Sequence, residues 1–271
     1  MVMTAREPEV APGILATTTK IVLIVEYDGR RYYGFQWQSN LPTVQGEIET
    51  ALEKLTGEKL RLAAASRTDT GVHARGQVVS FRTTSPHSRQ TFVKGLNYYL
   101  PEDIAVKAAY KVDDSFNVRR HAAGREYNYY ILNSSARSPL RAASTYRVEG
   151  HLDIEMMNQA CQALVGERDL ASFASDLGVE QKSTVRLVHR AEVSREGEVV
   201  VFNMMASSFL PHQVRNTIGA LIRVGQGKVS LDEFYRVLNA KKIGLAGPTA
   251  PARGLCLMRV NYSHLFEDEK R

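Results

Sequence analysis

Long apolar runs are missing from this 271-residue chain, and no stretch approaches the roughly 18 apolar residues that would span a bilayer. Cysteine is scarce. Cys161 and Cys256 show neither metal-ligand spacing nor a disulfide framework, which fits small buried apolar groups in a reducing cytoplasm. The seven histidines (73, 87, 121, 151, 189, 212 and 264) form no paired ligand spacing, so no metal is expected. The opening MVMTAREPEVAPGILATTTK lacks the charged-then-apolar order of a signal peptide. Residues 1–19 therefore read as a frayed tail, and residues 266–271 as a second, charged one. Acid is also nearly absent from one long segment. Between Ser115 and Val148, Glu126 is the only carboxylate, against Arg119, Arg120, Arg125, Arg137, Arg141 and Arg147.

What is present is the composition of a globular protein, 44% apolar and 24% charged, in a chain long enough for one large or two ordinary domains. The net charge of +6 is compatible with a nucleic-acid partner, although many basic proteins bind none. The arginine-rich segment reads either as a solvated basic face or as a stripe that binds phosphates.

One pattern of elements occurs twice. KIVLIVEYDG (20–29) is a strand rich in β-branched residues, followed by the loop RRYYGFQWQSNLP. In TVQGEIETALEKLTG, Val44, Ile48, Leu52 and Leu55 fall at helical spacing, with Thr43 able to cap and Gly57 to stop. KLRLAAAS and QVVSFRT read as strands, SRQTFVKGLNYYLP as a helix ended by Pro101, and DIAVKAAYKV as a strand. The second half gives EYNYYILN as a strand and DIEMMNQACQALVG as a helix. A hairpin follows, TVRLVHRAEVS and EVVVFNMMAS turning at Glu196-Gly197. Two helices, HQVRNTIGALIRVG and KVSLDEFYRVLNA, precede the strand GLCLMRVNY. The fold class expected is α+β, two ferredoxin-like β-α-β-β-α-β halves (residues 20–113 and 114–265). Their antiparallel sheets would join into one platform with helices on one face. Such a platform could hold a long polyanion.

The run ASRTDTGVHARGQVVSF (65–81) is the chemical focus. Asp-Thr-Gly favours a turn for backbone reasons alone, but a plain turn does not require Arg67, His73 and Arg75 beside it. An aspartic-protease dyad needs two carboxylates sharing a proton. There is no second Asp-Thr-Gly, and neighbouring arginines oppose proton sharing. The remaining reading is a single ionised Asp69 acting as nucleophile or base on a nucleic acid. His73 reads more readily as a structural hydrogen-bonding group than as a ligand.

SRTDTGVHARGQ closely resembles the catalytic motif of the tRNA pseudouridine synthase A family, G/S-R-T-D-x-G-V-H-A-x-x-Q. The resemblance runs from about Lys20 to Tyr262. EYDGRRYYGFQWQ is similar to the family's first-strand segment, with Phe35 where a tryptophan is usual. VKGLNYYLPEDIAV follows N-x-x-L-P-x-D-I, and SFNVRRHAAGREYNYYI follows F-H-A-R-x-x-A-x-x-R-x-Y-x-Y with Asn117 in place of histidine. SFLPHQVRNTIGALIRVG follows F-L-x-H-x-V-R-N with Pro211 at a position often basic or aromatic, and GLCL resembles the closing G-L-x-L.

The resemblance implies a synthase that detaches uracil from ribose, turns it and rejoins it through carbon, with no redox cofactor, nucleotide or metal. It carries Asp69 to the nucleophile, Tyr127 to the tyrosine that stacks on the base and is a candidate for removing its proton, and Arg215 to the carboxylate's partner. Leu255 corresponds to the apolar lining of the uracil pocket. A stacked uridine must be flipped out before it can react, and Arg67 fits the side chain that fills the vacated stack. Arg119 and Arg125, with the rest of the arginine-rich segment, would contact phosphates. The family further implies a homodimer with adjacent uridines of the tRNA anticodon arm as targets. The rival reading is a catalytically silent RNA-binding protein with two RNA-recognition-type sheets, which predicts aromatic RNP runs that the sequence lacks.

Overall fold

Alternating apolar residues make the strands of this chain, and side-chain caps bound most of its helices. The computed structural model describes residues 18–175 and 183–263. β1 (Thr19–Tyr27) buries Ile21, Leu23, Val25 and Tyr27 at the period of two that a sheet imposes. α1 (Val44–Thr56) opens with the Thr43 hydroxyl accepting from the Gly46 N–H and closes on Gly57 at φ 75°. β2 (Ala63–Ala64) is only two residues long, and β3 (His73–Thr83) is a full strand. α2 (Arg89–Tyr99) is capped by Ser88, and β4 (Ile104–Val112) ends the first half.

The second half comprises β5 (Ala122–Asn133), β6 (Tyr146–Val148), α3 (Ile154–Gln162), β7 (Gly166–Asp169), β8 (Val185–Glu196), β9 (Val199–Ala206), α4 (Gln213–Gly225), α5 (Leu231–Ala240) and β10 (Leu255–Tyr262). Strand order is β4-β1-β3-β10-β5-β9-β8-β7, with β2 added to β3 and β6 to β5. Within each half the order first, third, second of the ferredoxin-like motif is present, so the α+β expectation holds. α1 packs on α2, while α3 packs on α4 and α5. One contiguous apolar cluster takes in both halves, from Leu23, Ile48 and Phe92 to Phe202, Leu221 and Phe234. Among the described residues no helix is long and apolar enough to cross a membrane.

Three details differ from the sequence expectation, and the join between the halves, whose direction the sequence leaves open, is parallel: β10, last in the chain, inserts between β3 and β5. It pairs with β3 at Cys256↔His73 and Leu257↔Ala74, and antiparallel with β5. KLRLAAAS forms almost no strand, because the Leu62 N–H and the Arg61 guanidinium both donate to the Glu49 carboxylate on α1. β6 and β7 were not anticipated. Thr19, expected in the tail, already pairs with Thr83. The tail residues 1–17 and 266–271, like His264, lie outside the described residues. Both cysteines are buried, as read.

Candidate active site

The strand order β3-β10-β5 brings together residues far apart in the chain. Asp69 lies on the loop entering β3, Leu255 opens β10, and Tyr127 on β5 pairs with Leu257. Arg215 enters from the first turn of α4. These residues line a cavity of about 400 Å³ together with Ser66, Arg67, Arg119, Arg125, Phe209 and His212. That volume falls in the range of small-ligand sites.

The Asp69 loop is held from three sides. Gln77 on β3, fully buried, donates through Nε2 to the Ser66 carbonyl and accepts the Ser66 N–H through Oε1. Tyr27 on β1 places its hydroxyl 2.7 Å from Thr68 Oγ1. From the third side the loop after β1 clamps the turn: the Phe35 N–H donates to the Thr68 carbonyl and the Gly71 N–H to that of Tyr32. Gly34 sits at φ 87°, and a Cβ there would lie 2.9 Å from the Thr68 carbonyl oxygen. Only glycine meets both demands without strain. His73 is a tether between halves, accepting the Gly29 N–H at Nδ1 while Nε2 lies 3.2 Å from the Arg253 carbonyl.

Asp69 is about one-third exposed to the cavity, and the Arg215 guanidinium donates to its Oδ2 at 3.4 Å. Arg215 is itself aimed by the Ala250 carbonyl, which accepts from its Nε at 2.8 Å. Tyr127 is buried, with its ring edge-on to Phe209 at 5.1 Å and its hydroxyl 2.9 Å from Ser66 Oγ. Burial pushes the phenol up to about 12, with the nearby Asp69 charge adding to the effect and the Ser66 hydrogen bond opposing it. Leu255 is buried in the wall and Arg67 is exposed at the rim.

Arg119 is exposed and lines the cavity, but Arg125 departs from the role expected of it. It is buried, and its guanidinium donates to the backbone carbonyls of Ala65, Arg119, Ala122 and Ser207. Burial lowers its proton affinity below the usual arginine range. Its donors are spent on the protein, so Arg125 is a structural clamp in place of a phosphate contact. The other arginines do not form one stripe. Arg141 lines a separate cavity with Glu26, Asp28 and Asp103, and Arg147 pairs with Glu149 at 2.6 Å.

Four residues that shape the site have no role in the sequence expectations: Ser66, Phe209 and His212 in the cavity wall, and Gln77 on β3 behind it. Ser66, Gln77 and His212 stand inside the motifs quoted above, which was the available signal; Phe209 had the same signal as the first residue of its motif.

One cavity thus holds a single carboxylate beside an arginine, a buried tyrosine, and exposed arginines at its rim, an arrangement of the kind that suits an anionic ligand. The chain matches the tRNA pseudouridine synthase family over residues 23–119 and 160–263. The tRNA pseudouridine synthase A of Shewanella amazonensis is 40% identical over 247 residues, 91% of this chain and 94% of the relative. That of Acetivibrio thermocellus is 43% identical over 242 residues, 89% and 99% respectively. The chain belongs to the tRNA pseudouridine synthase A family, and is an isomerase of uridine in tRNA.

Proposed function

We propose that this enzyme isomerises adjacent uridines in the anticodon stem-loop of tRNA, using Asp69 as its nucleophile once the base has been flipped out. The observation that carries the reading is the convergence of Asp69, Tyr127, Arg215 and Leu255 on one cavity with Arg67 at its rim. A nucleotide leaving the stack gives up a few kcal/mol; Arg67 takes its place, and Leu255 and Phe209 shield the extruded base. Arg215 holds Asp69 by charge and leaves it open to the cavity. Tyr127 lies beside the base and is the acceptor of its proton. A phenol that already carries a proton accepts the one leaving the ring carbon only while giving up its own, and the ring nitrogen freed from ribose takes that proton, so the hydroxyl ends unchanged; Ser66 Oγ, 2.9 Å away, orients it. No metal or nucleotide enters this scheme, so turnover is expected to persist in EDTA. Loss of activity that one divalent ion restores, with the tRNA folded throughout, contradicts it.

The functional protein is proposed to be a cytoplasmic homodimer with one tRNA lying across both subunits. The deciding experiment is incubation with unmodified tRNA followed by mapping of pseudouridine at single-nucleotide resolution. Product confined to another arm would overturn the anticodon assignment, and product from an Asp69→Asn variant would overturn the nucleophile.

A further inference from the structure

His212 contributes to the cavity without a role in the scheme above, and its backbone is unusual. It is the residue immediately before α4, held at φ 57°, ψ 6°. Only three non-glycine residues among those described have positive φ, the others being Asn40 and Lys241. A left-handed, β-carbon-bearing residue costs of order 1–3 kcal/mol and persists where the surroundings over-determine it. Here they do. The Asn216 N–H donates to the His212 carbonyl, the Ser175 N–H donates to that of Pro211, and the Leu210 N–H donates to the Gln213 side chain.

That backbone aims the ring at the carboxylate. His212 Nε2 lies 3.5 Å from Asp69 Oδ2, the same oxygen that Arg215 addresses at 3.4 Å. The far side of the ring is fixed as well, with Nδ1 3.0 Å from Ser175 Oγ. Ser175 Oγ accepts from Asn216 Nδ2 at 3.3 Å, and Asn216 is buried, with its Oδ1 accepting from the Thr249 hydroxyl. With Nδ1 beside the Ser175 hydroxyl, which can donate to it, and Nε2 facing the Asp69 carboxylate, which can only accept while ionised, a ring hydrogen on Nε2 suits both neighbours.

We infer that His212 is a positioning residue for Asp69, the outermost member of a chain Asn216–Ser175–His212 that fixes the carboxylate's orientation jointly with Arg215. Arg215 donates to Oδ2 and His212 Nε2 stands 3.5 Å from the same oxygen, while no hydrogen bond to Oδ1 is found among the described residues. Two groups that converge on one oxygen from different elements restrain rotation of the carboxylate, which a single arginine on a long side chain does not. The inference rests on the nucleophile reading of Asp69 but adds a separate requirement to it.

The test compares His212→Gly, His212→Gln and Ser175→Ala with the parent, under single turnover at saturating unmodified tRNA and in parallel binding titrations. Glycine keeps the left-handed backbone and removes the ring, glutamine restores a side-chain N–H donor, and Ser175→Ala leaves residue 212 untouched. Misplacement of a reacting group by about 1 Å costs on the order of a hundredfold. The glycine variant is expected to lose about ten- to a hundredfold in rate, with tRNA affinity within about threefold of the parent. Glutamine is expected to recover most of the loss, and Ser175→Ala to show a smaller loss of the same kind. An unchanged rate in the glycine variant, a glutamine variant no faster than glycine, or a loss wholly in affinity would each overturn the inference. Failure of the nucleophile reading is seen separately, as turnover by Asp69→Asn in the same assay.

Discussion

At the scale of single residues, the site couples a half-open carboxylate to a closed phenol. The proposed nucleophile role requires Asp69 to reach substrate, and its one-third exposure permits that. Replacing it by asparagine keeps size and shape and removes the charge. Pseudouridine formation by Asp69→Asn is expected to vanish while tRNA affinity stays within about tenfold, or about 1.4 kcal/mol. A filter-binding titration beside the product assay checks both halves of that statement. Tyr127 is the opposite case, buried, with a phenol that burial pushes from its ordinary value near 10 up to about 12, so it keeps its proton well into the alkaline range. Tyr127→Phe keeps the ring against Phe209 and removes only the hydroxyl. If the hydroxyl accepts the proton, single-turnover rate falls by about 10²–10⁴, the usual worth of a general base. A nearly normal rate would reduce Tyr127 to a stacking surface.

At the scale of elements, the loop after β1 and the loop before β3 act as one unit, locked by backbone hydrogen bonds from Phe35 to Thr68 and from Gly71 to Tyr32. Gly34→Ala places a methyl group 2.9 Å from the Thr68 carbonyl and forces a left-handed alanine. The expected outcome is a loss of about 1–3 kcal/mol in unfolding free energy. A drop in kcat larger than the change in tRNA affinity should accompany it, because the clamp sits one residue from Asp69. Denaturant melts paired with kinetics check this, and a variant as stable and active as the parent would show that the two loops move independently. Elements of this kind were legible where local chemistry decides them: the β-branched run of β1, the Thr43 and Gly57 ends of α1, and the Glu196-Gly197 turn. β6 and β7 were not legible, since three or four residues paired to a neighbouring strand carry no periodicity of their own. The parallel seam was equally hidden, because it depends on where β10 inserts. The positions of Asp69 and Tyr127 could be read from motifs, whereas the restraint on Asp69 by His212 needs a φ angle that no motif states.

At the scale of the whole molecule, the arginine surplus separates into groups with different tasks, and composition could not sort them. Arg119 lines the Asp69 cavity and Arg120 is exposed beside it, with Asn117 Oδ1 accepting from both backbone N–H groups to shape that loop. Arg125, six residues on, faces inward and joins Ala65 of the first half to Ser207 of the second. Each phosphate contact releases counterions when it forms, so losing one contact lowers the salt slope of binding by about one unit. The double variant Arg119→Gln, Arg120→Gln is therefore expected to bind tRNA more weakly with a slope about two units shallower. Its turnover at saturation should change far less than KM, because backbone contacts serve ground and transition states alike. Arg67→Ala should behave in the reverse sense, losing kcat with little affinity, since in the proposed scheme base flipping stands on the path to reaction. Arg125→Met belongs to neither group. It removes the donor from four backbone carbonyls, the Ala65 bond buried and the other three part-buried, and an unsatisfied buried carbonyl costs about 1–3 kcal/mol, so it should lower Tm and leave the salt slope of the folded fraction unchanged. Binding titrations at several salt concentrations, with single-turnover rates and thermal melts, separate the three classes. An unaltered slope in the Arg119, Arg120 double variant would place the tRNA track on another surface of the protein.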